Sequence, residues 1–236
     1  MTSSLKRGAA TVALLMAPAA ASAQEWRIFV QDAGGPTPEF EMLPMESGFL
    51  LSGRLSWMAG EVDPWIPADY DDLFGTGLGI AVEGRLMWDL PFEGWAGIYL
   101  SLGWDRFEGR RDTDAYGDSL EPDSMDLATV LVGVRGVLPV APRVYVEAHA
   151  GAGAARYDDV DGTFLSGGLP EKVKVFDDTT TGAFELGGRL GFRRRHFVAE
   201  VGCGLRFQGS PRDADFDFDS SGPVVFILEA GMGFQF

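Results

Sequence analysis

Lysine is nearly missing from this chain. After Lys6 only Lys172 and Lys174 occur, both within one acidic stretch. A water-facing exterior normally carries lysine freely, so its scarcity argues against an ordinary soluble surface. Cysteine is scarcer still: Cys203 stands alone, which excludes an intrachain disulfide. Beyond the first 23 residues no apolar run approaches the ~20 residues of a helical membrane span. Disulfide scaffolds and helical membrane bundles are therefore set aside.

Residues 1–23 have the three parts of a secretory signal. Lys6 and Arg7 give a basic start, "GAATVALLMAPAA" a short apolar stretch broken by Pro18, and "ASAQ" a small-residue cleavage site after Ala23. The chain from Gln24 onward is expected outside the cytoplasm. Its lone cysteine is then an unused opportunity, because disulfides persist there.

What is present in quantity is glycine, 32 residues, and alternation. Apolar side chains return at every second position in eight stretches, roughly 48–59, 77–88, 95–106, 125–138, 144–157, 179–192, 197–208 and 223–236, which is the period of a strand. In the fifth, Val144, Val146, Ala148, Ala150, Ala152 and Ala154 share one face, with Tyr145, Glu147, His149, Gly151 and Gly153 on the other. The connections alternate in length: three are tight (89–94, 139–142, 193–196) and four long (61–76, 107–123, 158–178, 209–222). Successive antiparallel strands give this pattern when all tight turns lie at one end and all long loops at the other.

A soluble up-and-down barrel shows the same alternation with its apolar face turned inward. Charge type decides between them. The polar faces carry Arg54, Arg85, Arg135, Arg189 and Arg206 with Glu83, Glu147, Glu185, Glu200 and Glu229, five of each sign. Arginine suits enclosed pairs because its planar fork meets a carboxylate through two hydrogen bonds. Glycines crowd the same faces, as a narrow eight-stranded interior requires. On the apolar faces aromatics gather near the strand ends. Trp57, Trp104, Phe207 and Phe226 fall toward the long loops, and Phe49, Trp88, Phe192, Phe197 and Phe236 toward the tight turns. Two such rings around an aliphatic band form the girdles of a membrane barrel. The expected fold is all-β, an eight-stranded antiparallel up-and-down transmembrane β-barrel, whose closure leaves no strand amide unpaired in lipid.

The last residues carry a resemblance. Glu229-x-Gly231-x-x-Phe234-x-Phe236 resembles the carboxy-terminal assembly signal of bacterial outer-membrane barrels. With the signal peptide and eight strands, residues 48–236 resemble the small OmpA-, OmpX- and OmpW-type barrels. The resemblance implies an integral outer-membrane location in a Gram-negative bacterium, with both termini periplasmic. It implies as partners the membrane lipid, lipopolysaccharide and the barrel assembly machinery. The peptidoglycan-binding domain of OmpA-type proteins is expected to be missing. Residues 24–47 remain open between a periplasmic tail, a short extra strand and a plug.

The four long loops hold 21 acids against 5 Lys and Arg, an excess equal to the net charge of −16 of the whole chain. Such a rim repels nucleic acid, and it is either a solvated surface or a place for divalent cations beside lipopolysaccharide phosphates. No cofactor is expected beyond such loosely held cations. Asp213, Asp215, Asp217 and Asp219 alternate like a calcium loop, but Phe218 and Val224 stand where an EF-hand needs Gly and Glu. A hairpin rising above the membrane fits better, with a loose metal site as the alternative. Catalysis finds little support: Glu147 and His149 share a face, but the fifth strand offers no serine after His149, and Ser52, Ser56 and Ser101 belong to other strands. The chain is read as a non-enzymatic structural or surface-interaction barrel. A narrow channel or conduit for small molecules, apolar ones included, and an outer-leaflet lipid-modifying enzyme are the alternatives. His196 in the "RRRH" turn is expected to anchor to water and phosphates, and Cys203 to be a small thiol buried on the apolar face.

Overall fold

A computed structural model describes residues 45–63, 68–90, 94–113, 118–167, 169–213 and 221–236. The signal peptide, residues 24–44 and three of the alternating acids, Asp215, Asp217 and Asp219, lie outside the described residues. In chain order the elements are β1 (Met45–Ala59), β2 (Glu61–Asp63), β3 (Ala68–Asp69), the helical turn α1 (Tyr70–Leu73), β4 (Phe74–Asp89) and β5 (Trp95–Gly109). They continue with β6 (Asp112–Thr113), β7 (Ser119–Pro122), β8 (Met125–Ala141), β9 (Val144–Tyr157), β10 (Val160–Ser166) and β11 (Leu169–Asp177). The last four are β12 (Thr179–Arg194), β13 (Phe197–Gln208), β14 (Arg212–Asp213) and β15 (Val224–Gln235).

Eight of these strands close into one antiparallel barrel in the order β1-β15-β13-β12-β9-β8-β5-β4, with β4 returning to β1. Closure is visible at Ser52, which faces Gly231 on one side and Ala81 on the other. β1 begins three residues earlier than position 48, because Ser47 and Phe236 exchange both backbone hydrogen bonds, at 2.9 and 2.7 Å. The ladder thus runs to the last residue of the chain.

The alternation resolves as apolar outward and charged inward. Leu78, Val134 and Met232 are more than 60% exposed on the outer wall, whereas Arg206 inside is fully buried. A band of exposed Leu, Ile, Val and Phe around a whole barrel cannot face water, since soluble monomers rarely expose apolar patches beyond a few hundred Å². It faces hydrocarbon, and the fold is a transmembrane β-barrel.

The long connections are not plain loops. Parts of them pair into a five-stranded sheet, β14-β11-β10-β7-β6, and β2 pairs with β3. Asp213 lies opposite Phe176 at one edge of that sheet, and the rest of the hairpin expected there lies outside the described residues. A buried apolar cluster ties sheet to barrel. Met58, Phe107, Met125, Leu127, Tyr157 and Ile227 point inward from the barrel strands, and Tyr70, Leu73, Val160, Val175 and Phe176 meet them from the outer elements. Tyr70 stacks on Phe176 with ring centroids 6.4 Å apart, and the Tyr157 hydroxyl donates to the Gly209 carbonyl at 3.0 Å. A smaller cluster of Met87, Val137, Tyr145 and Trp95 occupies the tight-turn end.

Candidate functional site

Between the two apolar layers lies the lumen. All eleven residues assigned to it from the sequence, Arg54, Glu83, Arg85, Arg135, Glu147, His149, Glu185, Arg189, Glu200, Arg206 and Glu229, are buried there, none more than 9% exposed. Registry brings them together across the ladder: Arg189 faces Glu147 directly, Arg206 faces Glu185, and Arg54 faces Glu229.

Arg189 is the hub. Its Nη1 donates to Glu83 at 3.0 Å and to Glu147 at 3.2 Å and lies 3.6 Å from Glu200, and its Nε donates to Glu229 at 2.5 Å. Arg85 makes a forked pair with Glu200, at 2.5 and 2.9 Å, and also reaches Glu83. Arg135 bridges Glu83 at 2.5 Å and Glu147 at 3.1 Å beneath the Tyr99 ring, 4.9 Å from its centroid. Arg206 holds Glu185 through Nε and Nη2, at 3.0 and 2.7 Å. His149 stands between two carboxylates, Nδ1 3.4 Å from Glu147 and Nε2 3.7 Å from Glu185. Arg54 is the loose member: its Nε lies 3.5 Å from Glu229, and neither Nε nor Nη1 has a hydrogen-bond partner among the described residues.

The count of five acids needs a correction. Asp105, fully buried on β5, is a sixth; it accepts from Ser56 at 3.0 Å and from Arg206 at 3.4 Å. Its odd-numbered position, in step with Gly97, Ser101 and Gly103, already marked the inward face. A second addition lies at the tight-turn mouth. Arg193 forks onto Glu46 at 2.9 and 2.8 Å, and Gln235 donates to the same carboxylate at 2.6 Å. Tyr145 donates to Glu200 at 2.5 Å, closing the network from below.

The serines considered for catalysis do not form a nucleophile site. Ser56 is held by Asp105, and His149 is taken up by its two glutamates. Ser52, Ser56 and Ser101 are all within 3% of full burial in the wall interior. Near the lower mouth a cavity of ≈ 20 Å³ is lined by Arg85, Trp95, Arg135, Tyr145 and Arg193, room for about one water. On the outer wall a trough of ≈ 660 Å³ runs along Trp57, Leu186, Gly188, Cys203, Phe226 and Leu228. Cys203 is exposed on that wall and not buried as expected. It points outward by strand alternation, in step with Val201 and Phe207, and Gly188 beside it in the ladder has no side chain to cover it.

The girdle residues Phe49, Trp57, Trp104, Phe192, Phe197, Phe207 and Phe226 are exposed on the wall, and Trp88 is half-buried there. Of the terminal motif, Glu229 and Gly231 point into the lumen, while Phe234 and Phe236 point outward. Phe234 packs 5.7 Å from Phe49 and edge-on to Phe197 at 6.1 Å. Among the described residues the carboxylates that gather closely enough for a metal are Asp69, Asp71 and Asp72 on the exposed α1 turn.

A closed wall of eight strands, apolar without and ion-paired within, decides the class. The chain is a small eight-stranded transmembrane β-barrel. Among solved structures it is similar to Ail, the attachment invasion locus protein of Yersinia pestis, in complex with the heparin analogue sucrose octasulfate. That match has 16% identity and a TM-score of 0.43 over 81% of this chain and 99% of Ail. OprG of Pseudomonas aeruginosa gives 9% identity and 0.43, over 83% and 97%. The outer membrane protease OmpT of Escherichia coli gives 9% and 0.42, over 81% and 96%. Compared with family models and with curated proteins, the sequence matches none. The resemblance therefore stays at the level of the barrel, and activity has to be argued from this chain's own lumen and loops.

Proposed function

We propose that this barrel is a non-enzymatic outer-membrane protein whose work is done by its outer surface, with the lumen serving as a rigid, sealed scaffold. One observation carries the reading: the ion-paired layer is closed above by the cluster around Phe107, Tyr157 and Phe176 and below by Met87, Val137, Tyr145 and the Arg193–Glu46 fork. Water and ions have no wide route through such a stack, and the paired charges hold the wall in one shape. The acidic loops, ordered in part as a five-stranded sheet, are the face offered to partners, with lipopolysaccharide and loosely held divalent cations as the neighbours they suit. Insertion by the barrel assembly machinery through Glu229, Gly231, Phe234 and Phe236, with both termini periplasmic, belongs to the same proposal.

Single-channel recording in planar bilayers tests it. A sealed scaffold gives no sustained ion current across the physiological voltage range; a persistent open state would make the chain a conduit.

A further inference from the structure

A group of exposed cations stands at the tight-turn end of the barrel. β12 ends on Arg193 and Arg194, the tight turn from it to β13 is Arg195-His196, and the turn between β8 and β9 ends on Arg143. β9 and β12 are ladder neighbours, so the two turns lie side by side, and the Arg193 amide donates to the Arg143 carbonyl at 2.8 Å. Arg193 is spent on Glu46 and sits over the Trp95 ring, 5.9 Å from its centroid. Arg143, Arg194 and Arg195 are exposed and have no ion pair among the described residues. At the opposite end Arg106 is paired with Asp126, Arg111 with Glu121, and Arg156 with Asp158 and Asp178, while Arg110 and Arg212, exposed and without an ion pair among the described residues, stand among the acids of the long loops.

The backbone adds a second observation. Arg195 adopts a φ of 55°, the left-handed region that glycine or asparagine enters without strain. A cation is thus kept at the tip of the turn despite a conformational cost. His196 is fixed beside it, its Nδ1 3.0 Å from the Gln235 carbonyl and its ring stacked 5.6 Å from Phe236. Phe192, Phe197, Phe234 and Phe236, the aromatic ring of this end, lie directly above the patch on the wall. Free guanidiniums just beyond an interfacial aromatic belt stand at the height of lipid headgroups.

We infer that Arg143, Arg194 and Arg195 form a docking patch for the phosphates of anionic phospholipid in the leaflet at the tight-turn end. This rests on the transmembrane reading and adds to it a lipid preference. Arginine forks suit phosphodiester oxygens, and three of them on adjacent turns hold one side of the barrel, that of β8, β9, β12 and β13, against a negative surface. The acidic loops at the other end repel the same lipid. The barrel is thereby polarised across the membrane.

The test uses the folded barrel in bilayers of phosphatidylcholine containing a small fraction of spin-labelled phosphatidylglycerol or, as the reference, spin-labelled phosphatidylcholine. Wild type is expected to enrich the anionic lipid in its motionally restricted shell by roughly five-fold, the factor given by about one cation's attraction to a headgroup. R143Q/R194Q/R195Q should bring the ratio close to one while keeping the gel mobility of the folded form, and R194K/R195K should retain part of the preference. Raising the salt should erode wild-type enrichment, whereas inorganic phosphate at equal ionic strength should do no more than chloride. Enrichment unchanged in the glutamine variant, or no enrichment in an inserted wild type, overturns the inference. Selective displacement by inorganic phosphate would mark a free-anion site instead and also overturns it. Failure of wild type to insert into any bilayer would sink the membrane reading itself.

Discussion

Arg189 and Arg54 share one lumen but make unlike contacts, which lets the ion-pair network be tested a residue at a time. Arg189→Gln leaves Glu229 with only the 3.5 Å contact to Arg54 and weakens the hold on Glu83 and Glu147, three carboxylates that are almost fully buried. Removing one partner of a dry pair costs about 3–5 kcal/mol, mostly as the penalty of the charge left behind. Arg54→Gln gives up one 3.5 Å contact without a hydrogen bond and should cost clearly less. Urea denaturation of the folded barrel in detergent measures both; equal midpoints would mean a wet lumen in which neither pair matters. Glycines provide a second pair. A Cβ at Gly153 would stand 1.9 Å from the Val130 carbonyl oxygen, a backbone atom that cannot rotate away, whereas one at Gly136 meets nothing within 4 Å. Gly153→Ala should prevent or severely weaken folding, while Gly136→Ala, on the outer wall, should leave the midpoint within about 0.5 kcal/mol of wild type.

The eight barrel strands were readable from alternation because lipid and lumen impose opposite demands on successive side chains along 12 to 17 residues. Nothing so regular marks the outer sheet. β6 and β14 have two residues each, and β11 runs from four exposed residues, Leu169 to Lys172, to the buried Val175 and Phe176, so its burial follows no single period. The apolar upper lumen escaped notice for a related reason: from Leu127 to Leu131 only Thr129 interrupts an apolar run on β8, one face meeting lipid and the other placing Leu127 and Leu131 in the cluster around Phe107. Asp105 lies within the alternating stretch 95–106, in step with Ser101 and Gly103, and so was legible as an inward acid. At this scale a prediction concerns the β10–β11 hairpin. Asp159 accepts the Asp178 amide at 2.6 Å and pairs with Lys174 at 3.2 Å, and these contacts, the backbone bond first, hold its carboxyl below the usual value of 3.8. A lowered folded value means the tie is fully present above that usual value and is lost as the pH falls through the folded one. Hydrogen exchange at Asp178, corrected for intrinsic rate, should be protected at neutral pH and lose protection below about pH 4. In Asp159→Asn that acid-dependent loss should vanish; protection independent of pH in wild type would show that the hairpin is held by other contacts.

Across the whole molecule, chemistry is sorted by layer. The wall is greasy outward, the lumen is ion-paired, apolar packing seals both ends, and net negative charge is confined to the long-loop end, opposite the free arginines at the tight turns. A closed ladder removes every strand edge from hydrocarbon, so this arrangement is stable only where the wall meets lipid. In water the same wall would be one continuous apolar patch, far larger than soluble monomers tolerate. The single cysteine offers a direct test, because Cys203 lies on the wall, in mid-strand on β13, opposite Leu228 of β15. A nitroxide attached to Cys203 in the denatured chain, followed by folding into vesicles, reports the medium around it. High collision rates with oxygen and low rates with a water-soluble nickel complex are expected, since oxygen concentrates in the bilayer interior. The reverse ratio in a folded barrel would place this wall in water and contradict an outward apolar face.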